Sequence, residues 1–422
     1  MPNSAAGAQE LRRPSNTIAG FWKPRDGMEI KHATPGGVPG LRAFEPDAWL
    51  FGACETDWDG RLPHAELPFD PDAVFENYLF ERYARRSLPL RDAYYRVRPL
   101  VPLAVRRALQ RWQARRREVT RFPRWPIEWS LIRFHQLVLA NRLRDRFELP
   151  YVAFWPDDRQ FAFVLTHDVD SAEGFGRIDE VARIERDLGF RSAWFIVPEL
   201  YPVDCDRVAR LVEDGFEVGI HGLKHDGLLF SSREAFLARA SKINDYVQRC
   251  RARGFRSPAT LRRADWLQDI AVDYDASYFD TDPFEPQPGG TCSWWPYFLG
   301  RLIELPYTLP QDFTLFEKLR LDAVQLWCTK LAAIERYRGM ALMLTHPDYL
   351  DRRERLDAYA RTLQWVAKRA NCWHALPGDV AQWWRARAGA RWCEDGSIAG
   401  GSSRRDKVRA AIITRDGTEV RW

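Results

Sequence analysis

No stretch of this chain approaches the roughly 18 consecutive apolar residues that a bilayer-spanning helix needs. Its opening text, MPNSAAGAQELRRPSNTIAG, lacks the apolar core of a secretory signal, so the expected address is cytoplasmic. Cysteine is sparse and unpatterned: Cys54, Cys205, Cys250, Cys292, Cys328, Cys372 and Cys393 form an odd set with no Cys-x-x-Cys pair. That spacing argues against a disulfide framework or a thiolate metal site. A strong charge of one sign is missing too. A net charge of +5 over 422 residues makes no general case for a nucleic-acid binder. Histidine is rare, eight in all, so the positions where it falls carry weight.

What the chain does have is apolar and aromatic material, 45% and 13% of its residues, enough for a sizeable core and two or three structural units. Residues 1–45 are rich in Pro, Gly and charge and read as a poorly ordered or extended arm. Residues 46–150 are aromatic and arginine-rich. Stretches such as DAVFENYLFERYARR and IEWSLIRFHQLVLANRLRDRF repeat apolar residues at spacings of three and four, which predicts a mainly helical N-terminal region. Within it, the basic segment 96–121 reads as a solvated helix covering the rest of the chain, with peripheral contact to an anionic membrane as the alternative.

From residue 151 the text changes to short apolar runs, each followed by a helical stretch: FAFVLTHDVD, SAWFIVP, FEVGIHG and MALMLTH are the clearest. Repeated strand-then-helix units predict a parallel sheet, as a barrel or an open α/β fold, whose chemistry collects at the carboxyl ends of the strands. Four of the histidines, His167, His221, His225 and His346, fall at or just after such ends. Asp168 and Asp170 have strand periodicity and so leave the same side of the chain. His221 and His225 are four apart and would share a face of a helical turn, a common way to offer two imidazoles to one divalent ion.

Taken in order, LTHDVD, HGLKH, FRSPAT, YDASYFDTDP with the later ELPYTLPQD, and LMLTHP resemble the successive motifs of the polysaccharide deacetylase family, the NodB-homology or carbohydrate esterase family 4 proteins. The resemblance covers residues 151–387. It implies a distorted (β/α) barrel of the NodB type, an α/β fold. Apart from the resemblance, the helical region precedes the barrel, and the strand-like runs RWCEDGSIAG and RAAIITRDGTEVRW with Asp-Gly turn signals read as a small β appendage over 388–422. The resemblance also implies metal-dependent removal of an N-acetyl, sometimes O-acetyl, group from a sugar or glycoconjugate. Asp170, His221 and His225 become the ligands of a divalent ion, zinc in most of the family, with cobalt or another divalent ion as alternatives. Asp168 becomes the base, Arg256 the group that holds it, the backbone N–H of Ala259 an oxyanion donor, and His346 the acid that protonates the leaving amine. An acid in YDASYFDTDP tunes His346. Asp275, Asp280 and Asp282 all stand as candidates, with Asp280 preferred.

Four positions depart from the family pattern: His167 and Val169 in the first motif, Gly222 where Ser or Thr is usual, and Thr260 where glycine is usual. His167, a strand neighbour of Asp168, faces the other way and reads as a packed structural residue. In DPFEPQPGGTCSWWPYF, Trp294, Trp295 and Tyr297 are expected to wall the cleft and stack on sugar rings, or else to pack internally. Two other readings stay open: hydrolysis of a non-sugar linear or cyclic amide at the same centre, and an inactive barrel that binds carbohydrate.

Overall fold

A strand that opens on an apolar run such as FAFVL is stable only when both of its faces are covered, and β2 (Phe161–Val169) is buried along its whole length. The structure, a computed structural model, describes residues 16–27, 67, 69–84, 112, 122–401, 407–416 and 419–422. One edge of β2 pairs in parallel with β9 (Met340–Thr345), from Ala162↔Met340 to His167↔Thr345. The other edge carries β10 (Cys372–His374) along its first residues and β3 (Ala193–Ile196) along its last. Beyond β3 follow β4 (Glu217–Ile220), β5 (Gly254–Phe255), β6 (Tyr274–Asp275) and β8 (Leu302–Glu304), all parallel. β7 (Tyr297–Leu299) ends the order as an antiparallel partner of β8. Helices Ala172–Asp187, Cys205–Glu213, Arg233–Arg249 and Arg353–Ala367 follow strands as the sequence predicts, and a further helix spans Ala323–Arg336.

The sheet curls back towards β9 through residues 307–309. Tyr307 exchanges backbone hydrogen bonds with the chain after β6, its N–H donating to Tyr278 and its carbonyl accepting from Asp280, at 3.0 and 3.1 Å. On the other side the N–H groups of Thr308 and Leu309 donate to the Leu342 carbonyl of β9. Pro306 and Pro310 bracket the segment, and a proline cannot donate to a ladder. A side chain supplies the remaining bonds: the Thr308 hydroxyl donates to the Met340 carbonyl at 2.9 Å and accepts the Leu342 N–H at 3.0 Å. The result is a distorted α/β barrel. Its parallel strands bring the chain at Asp168, His221, Arg256 and His346 to one rim.

The amino end of the barrel is closed by the N-terminal segments. Residues 16–27 fall in the expected loose arm, yet they include the helix Ile18–Trp22, whose Trp22 is fully buried. This helix packs with Pro71–Leu79 and Ser130–Arg142, and the Phe21 ring meets those of Phe75, His135 and Trp295. Apolar content explains the correction, since Ile18, Phe21 and Trp22 are too hydrophobic to remain in water. The expected C-terminal appendage is only partly separate: β11 (Arg391–Trp392) and β12 (Ile398–Ala399) pair with each other, whereas β13 (Ala410–Asp416) pairs antiparallel with β1 (Glu148–Val152), and Trp422 packs against Trp22. The basic segment 96–121 lies outside the described residues except for Trp112. Among the described residues, no helix is long and apolar enough to cross a membrane.

Because Thr308 joins two parts of the barrel through its hydroxyl, Thr308→Val, nearly equal in volume, is expected to lower unfolding stability by roughly 1–3 kcal/mol. Urea denaturation reads this directly. An unchanged midpoint would show that the seam does not need the hydroxyl.

Candidate functional site

The site begins where β2 ends. Asp168 is nearly inaccessible, and its Oδ1 accepts a hydrogen bond from Arg256 Nη1 at 2.8 Å. Arg256, which follows β5 directly, is fully buried. Its Nη2 donates to Thr166 Oγ1 at 3.1 Å and its Nε to the Ala276 carbonyl at 2.8 Å, while the guanidinium lies over the Phe195 ring. With three acceptors and a ring fixing its plane, the guanidinium holds the carboxylate in one orientation. The second oxygen, Asp168 Oδ2, faces His221 Nε2 at 3.5 Å.

Two residues on, Asp170 Oδ1 stands 3.3 Å from His221 Nε2 and 3.2 Å from His225 Nε2. One donor atom from each of the three residues lies within 4.8 Å of the others. Asp170 Oδ1 is buried and has no hydrogen-bond partner, a costly state for a carboxylate oxygen that a cation would relieve. Burial alone would raise the Asp170 carboxyl. The charge of His225 and the closeness of both imidazoles hold it well below the usual range. His221 Nδ1 is 3.0 Å from the Arg256 carbonyl, which can only accept, so Nδ1 carries the proton and Nε2 keeps its lone pair. One carboxylate and two imidazoles are a donor set that suits zinc and leaves open positions.

The two imidazoles converge without a helix. Residues 221–227 form an irregular turn with positive φ at Gly222, His225 and Gly227 (63°, 52° and 75°). This corrects the helical-turn expectation and explains Gly222: a Cβ there would sit 2.5 Å from Pro258 Cδ, too close for any larger residue. The same Pro258 opens the turn in which Ala259 and Thr260 both adopt left-handed φ, 53° and 50°. Thr260 thus keeps the conformation that glycine would favour, at a strain of roughly 1–3 kcal/mol.

Across the site, His346 follows β9. Asp312 grips it twice, through Nδ1 at 2.7 Å and through the backbone N–H at 2.7 Å. Its Nε2 stands 4.0 Å from Asp170 Oδ2. Burial would lower the His346 pKa, but Asp312, then Asp170 and Asp168, raise it to about 10. The preferred partner Asp280 is therefore corrected. Asp280 instead accepts from Lys330 Nζ at 2.6 Å and Trp294 Nε1 at 3.1 Å, inside the protein. Asp275 bonds Ser277 and Glu304, and Asp282 accepts from the Tyr307 hydroxyl. Asp312 closes the stretch ELPYTLPQD, and its place just past the seam that leads to β9 was the available signal.

Trp294, Trp295 and Tyr297 do not wall the cleft. All three are buried; Trp295 Nε1 donates to the Arg338 carbonyl and the Trp294 carbonyl accepts from Met340, at the amino end of β9. Their rings pack on Trp129, Phe21 and Phe80 of the N-terminal region, which needs apolar partners there. His167 is a packed residue, as expected. It stacks on Trp194 and bonds Glu185 at 2.6 Å and Thr345 at 2.8 Å. Sequence reasoning missed Asp348, two residues past His346. It accepts the Asp170 N–H at 3.2 Å and the Ser171 hydroxyl, setting the chain that presents Asp170.

No family model matches the chain, and no curated protein does. Solved structures do. One is a Mycobacterium smegmatis protein described as a polysaccharide deacetylase, 19% identical, with a TM-score of 0.46 over 55% of this chain and 92% of that one. The PuuE allantoinase is 16% identical, with a TM-score of 0.42 over 54% and 91%. A family 4 carbohydrate esterase from Streptomyces lividans, in complex with acetate, is 14% identical, with a TM-score of 0.35 over 51% and 93%.

If Asp348 fixes the approach of Asp170, Asp348→Asn should weaken zinc binding by roughly 10- to 100-fold while the protein stays folded. Competition against a chromogenic chelator measures this. Wild-type affinity in the variant would remove Asp348 from the site.

Proposed function

We propose that the chain is a metal-dependent hydrolase that removes acetyl groups, N-linked in the first instance, from a carbohydrate or glycoconjugate. One observation carries the reading: a carboxylate gripped by a buried arginine, a carboxylate–imidazole–imidazole set and an acid-paired histidine share one rim of the barrel. A divalent ion held by Asp170, His221 and His225, zinc being the expected one, would supply Lewis acidity to the acetyl carbonyl and acidify a water.

The chain's own groups do the rest. Asp168, with Oδ1 tied to Arg256, takes the water's proton on Oδ2 as the carbonyl carbon is attacked. The Ala259 N–H donates to the developing oxyanion, a task that does not depend on the side chain. His346 gives the Nε2 proton to the departing amine, and Asp312 keeps the ring oriented and protonated until that moment. Amide cleavage needs such an acid because an amine anion is a poor leaving group.

Zinc-loaded protein should release acetate from at least one member of a panel of N- and O-acetylated sugars. Linear and cyclic amides in the same panel test the competing substrate class, and turnover of those alone would overturn the sugar assignment. Asp312 raises the His346 pKa, so Asp312→Asn should move the alkaline limb of the kcat/KM profile to lower pH and reduce kcat by roughly 10²- to 10⁴-fold. An alkaline limb that stays in place would exclude His346 as the acid.

A further inference from the structure

The Ala259–Thr260 turn lies between two braces. On one side Pro258 packs against Gly222, next to His221. On the other, the Thr260 carbonyl accepts from Arg262 Nη1 at 2.9 Å, and the Thr260 hydroxyl bonds Glu285 at 3.2 Å. A β-branched residue leaves the left-handed region unless its surroundings hold it there. Arg262 is itself held. Its side chain is fully buried, with the guanidinium 4.4 Å from the centre of the Phe279 ring.

The partner that holds Arg262 comes from outside the barrel. Glu81 follows the N-terminal helix Pro71–Leu79 and is 2% exposed. Its Oε2 accepts from Arg262 Nε at 2.7 Å and its Oε1 from Nη2, a bidentate grip. Oε1 also accepts the Gly290 N–H at 2.9 Å, and Tyr83 bonds the Gly290 carbonyl. The N-terminal region is thus anchored to the barrel where Arg262 reaches the strained turn.

We propose that Glu81 is a positioning residue of the site: through Arg262 it clamps the Ala259–Thr260 turn in the conformation that presents the Ala259 N–H. The inference rests on the function proposed above and adds to it. The N-terminal region becomes part of the machinery, and the barrel without it would carry a loosened oxyanion donor. Glu81 touches no substrate and acts only through Arg262.

Two full-length variants test this. Glu81→Gln keeps the shape but leaves Arg262 buried without its counter-charge. The double variant Glu81→Leu/Arg262→Met removes the pair together and replaces it with apolar groups, a change that folded proteins commonly tolerate. Hydrogen exchange over residues 256–263 and the kcat and KM of acetate release are read on both, with folding checked by thermal unfolding and zinc content by elemental analysis. In the folded double variant, exchange in that peptide should rise and kcat should fall on the order of 10- to 100-fold, with KM and zinc content unchanged. Native protection there would overturn the clamp, and faster exchange with native kcat would overturn its part in catalysis. Wild-type protein that turns over nothing would count against the proposed function, and the exchange result would still decide the clamp.

Discussion

The base and one metal-ligand candidate at the rim both depend on Arg256. Its side chain holds the Asp168 carboxylate, and its carbonyl accepts from His221 Nδ1, leaving Nε2 for a metal. Its N–H donates to the Ile220 carbonyl, immediately before His221. One residue therefore positions the candidate base through its side chain and a candidate ligand through its backbone. Removing either member of the buried Arg256–Asp168 pair would strand a charge at a cost of roughly 3–5 kcal/mol. Chemistry and barrel stability are coupled at this residue.

Much of the barrel was legible in the sequence because fully apolar strands followed by amphipathic helices admit few other arrangements. The convergence of Asp170, His221 and His225 was legible too, since parallel strands place their carboxyl ends together. Where reading failed, the deciding contacts were tertiary. Asp312 meets His346 only because the proline-bracketed segment 307–309 crosses to β9, and nothing in the local pattern of YDASYFDTDP excluded Asp280. Trp294 and Trp295 have the composition of a sugar platform. Only the N-terminal aromatic cluster, distant in sequence, shows that they serve as core.

The molecule divides its work between the two ends of the barrel. The amino end is sealed by aromatic rings, as the contact of Trp22 with Trp422 illustrates, around the buried Arg387 guanidinium, which donates to the Phe21, Val152 and Ala153 carbonyls. The carboxyl end gathers the buried Asp168–Arg256 and His346–Asp312 pairs. Glycine and left-handed backbone occur where segments must approach closely: Gly222 beneath Pro258, and the turn at Ala259 and Thr260 beside it. Glu81 is where the N-terminal region reaches across to that turn.

The central claim is that two aspartates two residues apart have different tasks, Asp168 moving a proton and Asp170 holding a metal. The most direct measurement compares zinc content and acetate release in Asp168→Asn and Asp170→Asn, each purified beside the wild type. The account predicts that Asp168→Asn keeps its zinc and loses turnover, whereas Asp170→Asn loses both. Equal loss of zinc in the two variants, or turnover that survives in Asp168→Asn, would contradict it.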